Sequence, residues 1–241
     1  MRLYVIIGIL LPFFMTSFGS LFIFFIKNEL NNKIKKLMIG LSIGVMLSSS
    51  IFSLLIPSIE LSKNNCLIPS IGIILGFIFL IIINNTTKNN HIKNMTMMSL
   101  TLHNIPEGMV VGAAFAGLFL NTIEISFVEA MMISLGIAIQ NIPEGLVVSI
   151  SYKINGSNKI KSFIMGVLSG IVEPIFAVIT ILVFKHSMTL LPYLLSFSFG
   201  SMIYVILNDL VIDLNENKSI LGSIGIIIGF IFMMILDISF G

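Results

Sequence analysis

Long apolar runs separated by short polar segments dominate the chain. Taking about 20 consecutive apolar residues as one membrane crossing, the pattern predicts eight helices, at about 4–26, 37–59, 67–84, 96–120, 125–152, 162–184, 189–212 and 219–240. The runs are helical rather than irregular, because in hydrocarbon every backbone N–H and C=O must be satisfied within the segment itself. Little more than Asn121-Thr122-Ile123-Glu124 joins the fourth and fifth runs, so those two are antiparallel neighbours. No soluble domain, low-complexity linker or long loop interrupts the pattern, and 1–241 reads as a single polytopic transmembrane domain.

Composition agrees with the pattern. The 241 residues are 56% hydrophobic and 10% charged, with a mean hydropathy of +1.09, which predicts an all-α integral membrane protein. The formal net charge of +2 is small, and the lysines lie in short loops rather than in a patch with interleaved aromatics, so nucleic acid is not an expected partner. A single cysteine, Cys66, leaves no intrachain disulfide. The first run has no small-residue cleavage site after a short apolar region and is expected to be kept as the first helix.

Basic residues set the orientation. One side of the eight-span pattern carries Lys27, Lys33, Lys35, Lys36, Lys88, Lys93, Lys153, Lys159, Lys161 and Lys218, and the other only Arg2, Lys63 and Lys185. Cytoplasmic loops carry the excess of positive charge, so both termini are expected outside.

The chemistry concentrates in a stretch that occurs twice. His103-Asn104-Ile105-Pro106-Glu107-Gly108-Met109-Val110-Val111-Gly112 is followed by Gln140-Asn141-Ile142-Pro143-Glu144-Gly145-Leu146-Val147-Val148-Ser149, identical at seven of ten positions. Residues three and four apart share a helix face, so Glu107 projects near His103 and Asn104, and Glu144 near Gln140 and Asn141. Facing copies would offer two carboxylates, one imidazole and three amides, a mixed N/O set suited to a borderline divalent ion such as Zn²⁺. Pro106 and Pro143 lack an amide hydrogen and should kink their helices, freeing the carbonyls of Leu102 and Ile139. Irregular backbone at membrane depth belongs in protein or along a wet cavity.

Depth and energy single out the same residues. Counted from the cytoplasmic end of each predicted span, Met46, His103, Glu107, Gln140, Glu144 and Glu173 all lie roughly 10 to 18 Å deep at about 1.5 Å per residue. Each ionised glutamate costs about 2.5 to 3.5 kcal/mol at a helix centre, about 8 to 10 kcal/mol for Glu107, Glu144 and Glu173 together. No lysine or arginine lies within these spans to neutralise them. Either the carboxyls are protonated or a cation and water occupy the site. The ordinary alternative is that proline kinks and interhelical amide bonds serve packing. Two copies plus Glu173-Pro174 at matching depth weigh against it.

Other residues carry weaker signals. Met46 is one of 15 methionines, and a lone thioether is commonly packing. Ser53, seven residues on, shares its helix face and is a pathway candidate, as are Asn208 and Asp209 near the cytoplasmic end of the seventh span, where a solvated helix end is the alternative. Glu129 and Asp237 lie near outer ends, where snorkelling and a mouth role are both open. Glycines four apart, such as Gly40 and Gly44 or Gly225 and Gly229, predict close helix approach.

These motifs carry a family resemblance. With His-Asn-Ile-Pro-Glu-Gly in the fourth span, its near copy in the fifth, Ser169-Gly170-Ile171-Val172-Glu173-Pro174 in the sixth and Gly44-Val45-Met46-Leu47 in the second, the chain resembles the ZIP (Zrt/Irt-like) divalent metal transporters, particularly their bacterial members, over nearly its whole length. The resemblance implies a 3+2+3 bundle of eight transmembrane helices, the first three and last three related by inverted pseudosymmetry around the central pair. It implies a binuclear centre with one metal position at Met46, His103, Glu107, Gln140 and Glu144, and another at Asn104, Glu107, Asn141, Glu144 and Glu173. Asn141 stands where some bacterial relatives have aspartate, which removes a charge from the second position. Leu207-Asn208-Asp209-Leu210 replaces a more usual His-Glu pair.

The expected function is import of a divalent cation, Zn²⁺ first, with Fe²⁺, Mn²⁺, Cd²⁺ and Co²⁺ open, across the cell membrane of a bacterium. The metal is the transported substrate, no organic cofactor is expected, the lipid bilayer is the surrounding partner, and a homodimer is an open expectation. The chain is not expected to be an enzyme: an intramembrane metal-dependent hydrolase of the zincin type would need His-Glu-x-x-His, and no such string occurs. A passive cation channel is the other alternative.

Overall fold

The computed structural model describes residues 2–26, 32–63, 65–88, 104–119, 126–154, 156–184, 190–211 and 220–240, and all regular structure among them is helical. In chain order the helices are α1 (Arg2–Leu21), closed by a 3₁₀ turn at Phe22–Phe24; α2 (Asn32–Ser49), which passes through a π-helical segment at Ser50–Leu55 into α3 (Ile56–Leu61); and α4 (Leu67–Lys88). Then follow α5 (Asn104–Phe119), α6 (Phe127–Ile154), α7 (Lys159–Gly170), α8 (Val172–Phe184), α9 (Leu191–Val205) with a π-helical end at Ile206–Leu210, and α10 (Ile220–Phe240).

Seven helical runs among the described residues are long and apolar enough to cross a membrane: Leu3–Phe24, Lys33–Leu61, Leu67–Asn85, Phe127–Lys153, Lys159–Val183, Leu191–Asn208 and Ile220–Ser239. They match seven of the eight expected spans to within about four residues at each end. The expected span at 96–120 is described only as α5, 16 residues long.

Local chemistry explains where the helices break. Asn158 caps α7, its side-chain oxygen accepting from the Lys161 N–H at 2.8 Å, after a turn in which Gly156 has φ +89°. The α7/α8 break follows from Pro174, whose ring cannot share space with the carbonyl four residues earlier, that of Gly170; α7 ends there and Ile171 turns, its N–H donating to the Leu168 carbonyl at 3.3 Å. Pro143 acts more mildly, and α6 runs through it as one helix.

The polarity of the bundle is inverted relative to a water-soluble core. Outward faces carry large apolar side chains, among them Leu67, Ile71, Ile74, Ile78 and Ile82 along one stripe of α4, whereas Thr16, Ser20, Ser49, Asn104, Glu107, Gln140, Asn141, Glu144, Ser169 and Glu173 are buried. Acyl chains solvate the outside, so polar groups are stable only where other helices supply partners. The principal helix pairs are α2 with α10, α1 with α6, α4 with α9, and α5 with α8. In the first pair the expected glycines bring two backbones together: a Cβ on Gly44 would lie 2.1 Å from the Ile226 carbonyl oxygen, and one on Gly229 2.2 Å from that of Leu41. The α5–α8 and α1–α6 pairs position the repeated motif.

Candidate metal centre

The glycine of each motif copy admits a neighbouring helix. A Cβ on Gly108 would lie 2.3 Å from the backbone oxygen of Glu173, and a Cβ on Gly145 2.0 Å from that of Thr16. One motif glycine therefore seats Glu173 of α8 against α5, and the other seats Thr16 of α1 against α6. These two seated residues then meet: the Thr16 hydroxyl donates to Glu173 Oε1 at 3.2 Å.

Glu173 is the hub of the polar layer. Asn104 Nδ2 donates to its Oε1 at 2.9 Å and to the Ser169 carbonyl at 3.1 Å, while Asn141 Nδ2 donates to its Oε2 at 2.7 Å. Both asparagines of the repeat thus converge on one carboxylate from opposite motif helices. Glu107 is held differently: Gln140 Nε2 donates to its Oε1 at 2.7 Å, and the Ser49 hydroxyl donates to Gln140 Oε1. The amides pair across helices rather than along their own, because the neighbouring carboxylates have acceptor capacity that each helix's own backbone cannot fill. Glu144 is buried with them at 2% exposure.

Glu107 Oε2, Asn104 Oδ1 and Asn141 Oδ1 are buried oxygens of this layer with no hydrogen-bond donor among the described residues. All are acceptors. No group of three or more His, Cys, Asp and Glu side chains converges to hold a metal among the described residues; the described layer instead joins carboxylates to amides and hydroxyls. His103 lies outside the described residues. Met46 is fully buried in an apolar cluster with Ile39, Ile43, Leu80, Val147 and Met202, and the Ser42 hydroxyl stands 3.9 Å from its sulfur.

The weaker candidates lie elsewhere. Ser53, inside the π-helical segment, donates to Asp237 Oδ1 on α10 at 2.8 Å, and Asp237 Oδ2 has no hydrogen-bond partner among the described residues. Asn208 is exposed, its side-chain amide donating to the Tyr204 carbonyl at 3.1 Å; the side chain of Asp209 lies outside the described residues. Three partners were not singled out from sequence: Thr16, Ser49 and the Ser169 carbonyl. The signal for the first two is faint, hydroxyls within apolar spans that also contain packing serines and threonines.

Comparison with known proteins gives the family. The sequence pattern described as ZIP Zinc transporter matches residues 85–237, more than half of the chain and both motif copies. The chain belongs to the ZIP family. It is 29% identical to the zinc transporter GufA of Myxococcus xanthus, over 94% of each chain. It is 24% identical to the zinc transporter ZIPB of Bordetella bronchiseptica, over 99% of this chain and 82% of that one. With the zinc transporter ZIP11 of Xenopus tropicalis it shares 39% identity over 61% of this chain and 44% of the other. ZIP membership, with seven apolar helices long enough to cross a membrane among the described residues, makes the chain an integral membrane transporter of divalent metal rather than an enzyme.

Proposed function

We propose that this ZIP protein carries a divalent cation into the cytoplasm, Zn²⁺ ahead of Fe²⁺, Mn²⁺, Cd²⁺ or Co²⁺, through a mid-membrane site centred on the two motif helices. The observation that carries the reading is the set of buried acceptors without donors among the described residues, Glu107 Oε2, Asn104 Oδ1 and Asn141 Oδ1. An unmatched polar atom in an apolar bundle is costly, and a cation satisfies acceptors that no described side-chain donor reaches. No lysine or arginine occurs at 104–119, 127–152 or 162–184 to take that role.

Two metal positions are proposed. The first uses Met46, His103, Glu107, Gln140 and Glu144, and the Gln140–Glu107 contact supports it; the thioether of Met46 enters on family resemblance alone. The second uses Asn104, Glu107, Asn141, Glu144 and Glu173, supported by the convergence of both asparagines on Glu173. Carboxylates mixed with weak amide donors replace part of the hydration shell without trapping the ion. Toward the outer side, Ser53 with Asp237 forms an oxygen pair suited to first capture, and Asn208 and Asp209 lie toward the release side.

The architecture proposed around the site is a single domain of eight spans in the 3+2+3 arrangement with both termini outside. Seven spans, the α5 segment and the lysine partition support it. Relatives from Myxococcus xanthus and Bordetella bronchiseptica support placement in a bacterial cell membrane, and a homodimer is the assembly to test there. The deciding experiment is Zn²⁺ uptake in a zinc-deficient host and in proteoliposomes, comparing wild type with His103→Ala and Glu144→Ala. Uptake should saturate with Zn²⁺ and be lost in both variants. Normal transport by both folded variants would overturn the site, and unsaturable flux would favour a passive channel.

A further inference from the structure

We propose that Ser49 is a positioning residue for the first metal position, serving as a two-way hydrogen-bond partner that lets the Gln140 amide turn over when metal arrives. The proposal rests on the site assigned above. Ser49 is the last residue of α2, directly before the π-helical segment, and is fully buried. Its hydroxyl donates to Gln140 Oε1, while Gln140 Nε2 donates to Glu107 Oε1 at 2.7 Å. A single chain of bonds therefore runs from α2 through α6 to α5.

That chain fixes which end of the amide faces Glu107. The end presented is the NH₂ group, a donor, which suits a metal-free carboxylate and opposes a cation. For Gln140 to coordinate a cation held by Glu107, its carbonyl oxygen must take the place of its nitrogen, a half-turn about the terminal side-chain bond. The turn breaks both existing bonds and brings the NH₂ group toward Ser49. A hydroxyl both donates and accepts, so Ser49 can bond Oε1 before the turn and Nε2 after it. Alanine can do neither. Threonine keeps the hydroxyl.

Gln140 is the only glutamine in the sequence, so protein labelled with ¹⁵N at the glutamine side chain reports this amide alone. The test follows the side-chain NH₂ signals of purified wild type, Ser49→Ala and Ser49→Thr with and without Zn²⁺, beside Zn²⁺ uptake by the same proteins in proteoliposomes. Wild type should show a Zn²⁺-dependent shift. Ser49→Ala should alter the metal-free signals and raise the Zn²⁺ concentration for half-maximal uptake about five- to tenfold, the scale of one lost hydrogen bond, with the maximal rate little changed. Ser49→Thr should stay close to wild type in both measurements. If Zn²⁺ shifts the wild-type signal but folded Ser49→Ala behaves as wild type throughout, the role of Ser49 is refuted and the metal site stands. If Zn²⁺ leaves wild-type Gln140 unmoved, Gln140 is not a ligand and the proposal falls with that assignment.

Discussion

Adding one methyl group at Gly108 should damage the proposed metal centre without changing the side chain of any proposed ligand. In Gly108→Ala the new Cβ would stand 2.3, 2.8 and 2.9 Å from the oxygen, Cα and carbonyl carbon of Glu173. These are backbone atoms and cannot rotate away, so α5 and α8 must separate by about 1 Å to reach ordinary carbon–oxygen contact. Overpacking of this kind costs about 1–3 kcal/mol. The bonds to Glu173 from Asn104 and Asn141 are 2.9 and 2.7 Å, and an added ångström takes the former beyond hydrogen-bonding range. Thermal unfolding in detergent, followed by circular dichroism, should show a midpoint lowered by about 2–10 °C. Added Zn²⁺ should raise that midpoint less than in wild type, because a ligand stabilises by RT ln(1 + [L]/Kd), which falls as Kd rises. Gly136→Ala is the control for the midpoint alone: its nearest neighbour is the Ser53 hydroxyl at 3.0 Å, a side chain that can turn. A Gly108→Ala protein with both the wild-type midpoint and the wild-type Zn²⁺ response would refute the packing argument.

Further outcomes follow from individual contacts. Thr16→Val removes one of three donors to Glu173 at nearly constant volume and should cost about 1 kcal/mol of stability, read by the same thermal assay, whereas Thr16→Ser should restore most of it. Asp237→Asn removes the charge beside Ser53 and should raise the half-saturating Zn²⁺ concentration in uptake measurements while leaving the maximal rate near wild type; an unchanged half-saturation would remove the Ser53–Asp237 pair from the pathway. In a direct Zn²⁺ titration, Asn104→Ala with Asn141→Ala should spare the tighter of two binding events, because the position beside His103 holds the only imidazole of the motif pair. Loss of the tighter event would reverse that order.

The residues of the proposed site could be picked out because rare residues stand out in an apolar chain. Glu107, Glu144 and Glu173 are conspicuous wherever lysines and arginines are confined to loops, and repetition of Asn-Ile-Pro-Glu-Gly made coincidence a poor account of them. Partner choice was not legible. Helical spacing puts Asn104 beside Glu107 on one helix, yet its amide bonds Glu173 on another. Ser49 and Thr16 were hidden for a related reason: a hydroxyl in an apolar helix can equally bond its own backbone four residues back, as Ser20 does to the Thr16 carbonyl, and only the facing helix decides whether it does more.

The sequence by itself determined the apolar runs, seven of which are membrane-length helices among the described residues, and the family, because hydrophobic run length and motif content are properties of single segments. It also marked Gly108 and Gly145 as repeated without saying what they admit. The tertiary structure alone decided that one seats Glu173 and the other Thr16, that two asparagines share one carboxylate, and that Gln140 is tied to α2 through Ser49. Those facts depend on which helix faces which, and at a few ångströms that is set by where side chains are absent as much as by where they are present.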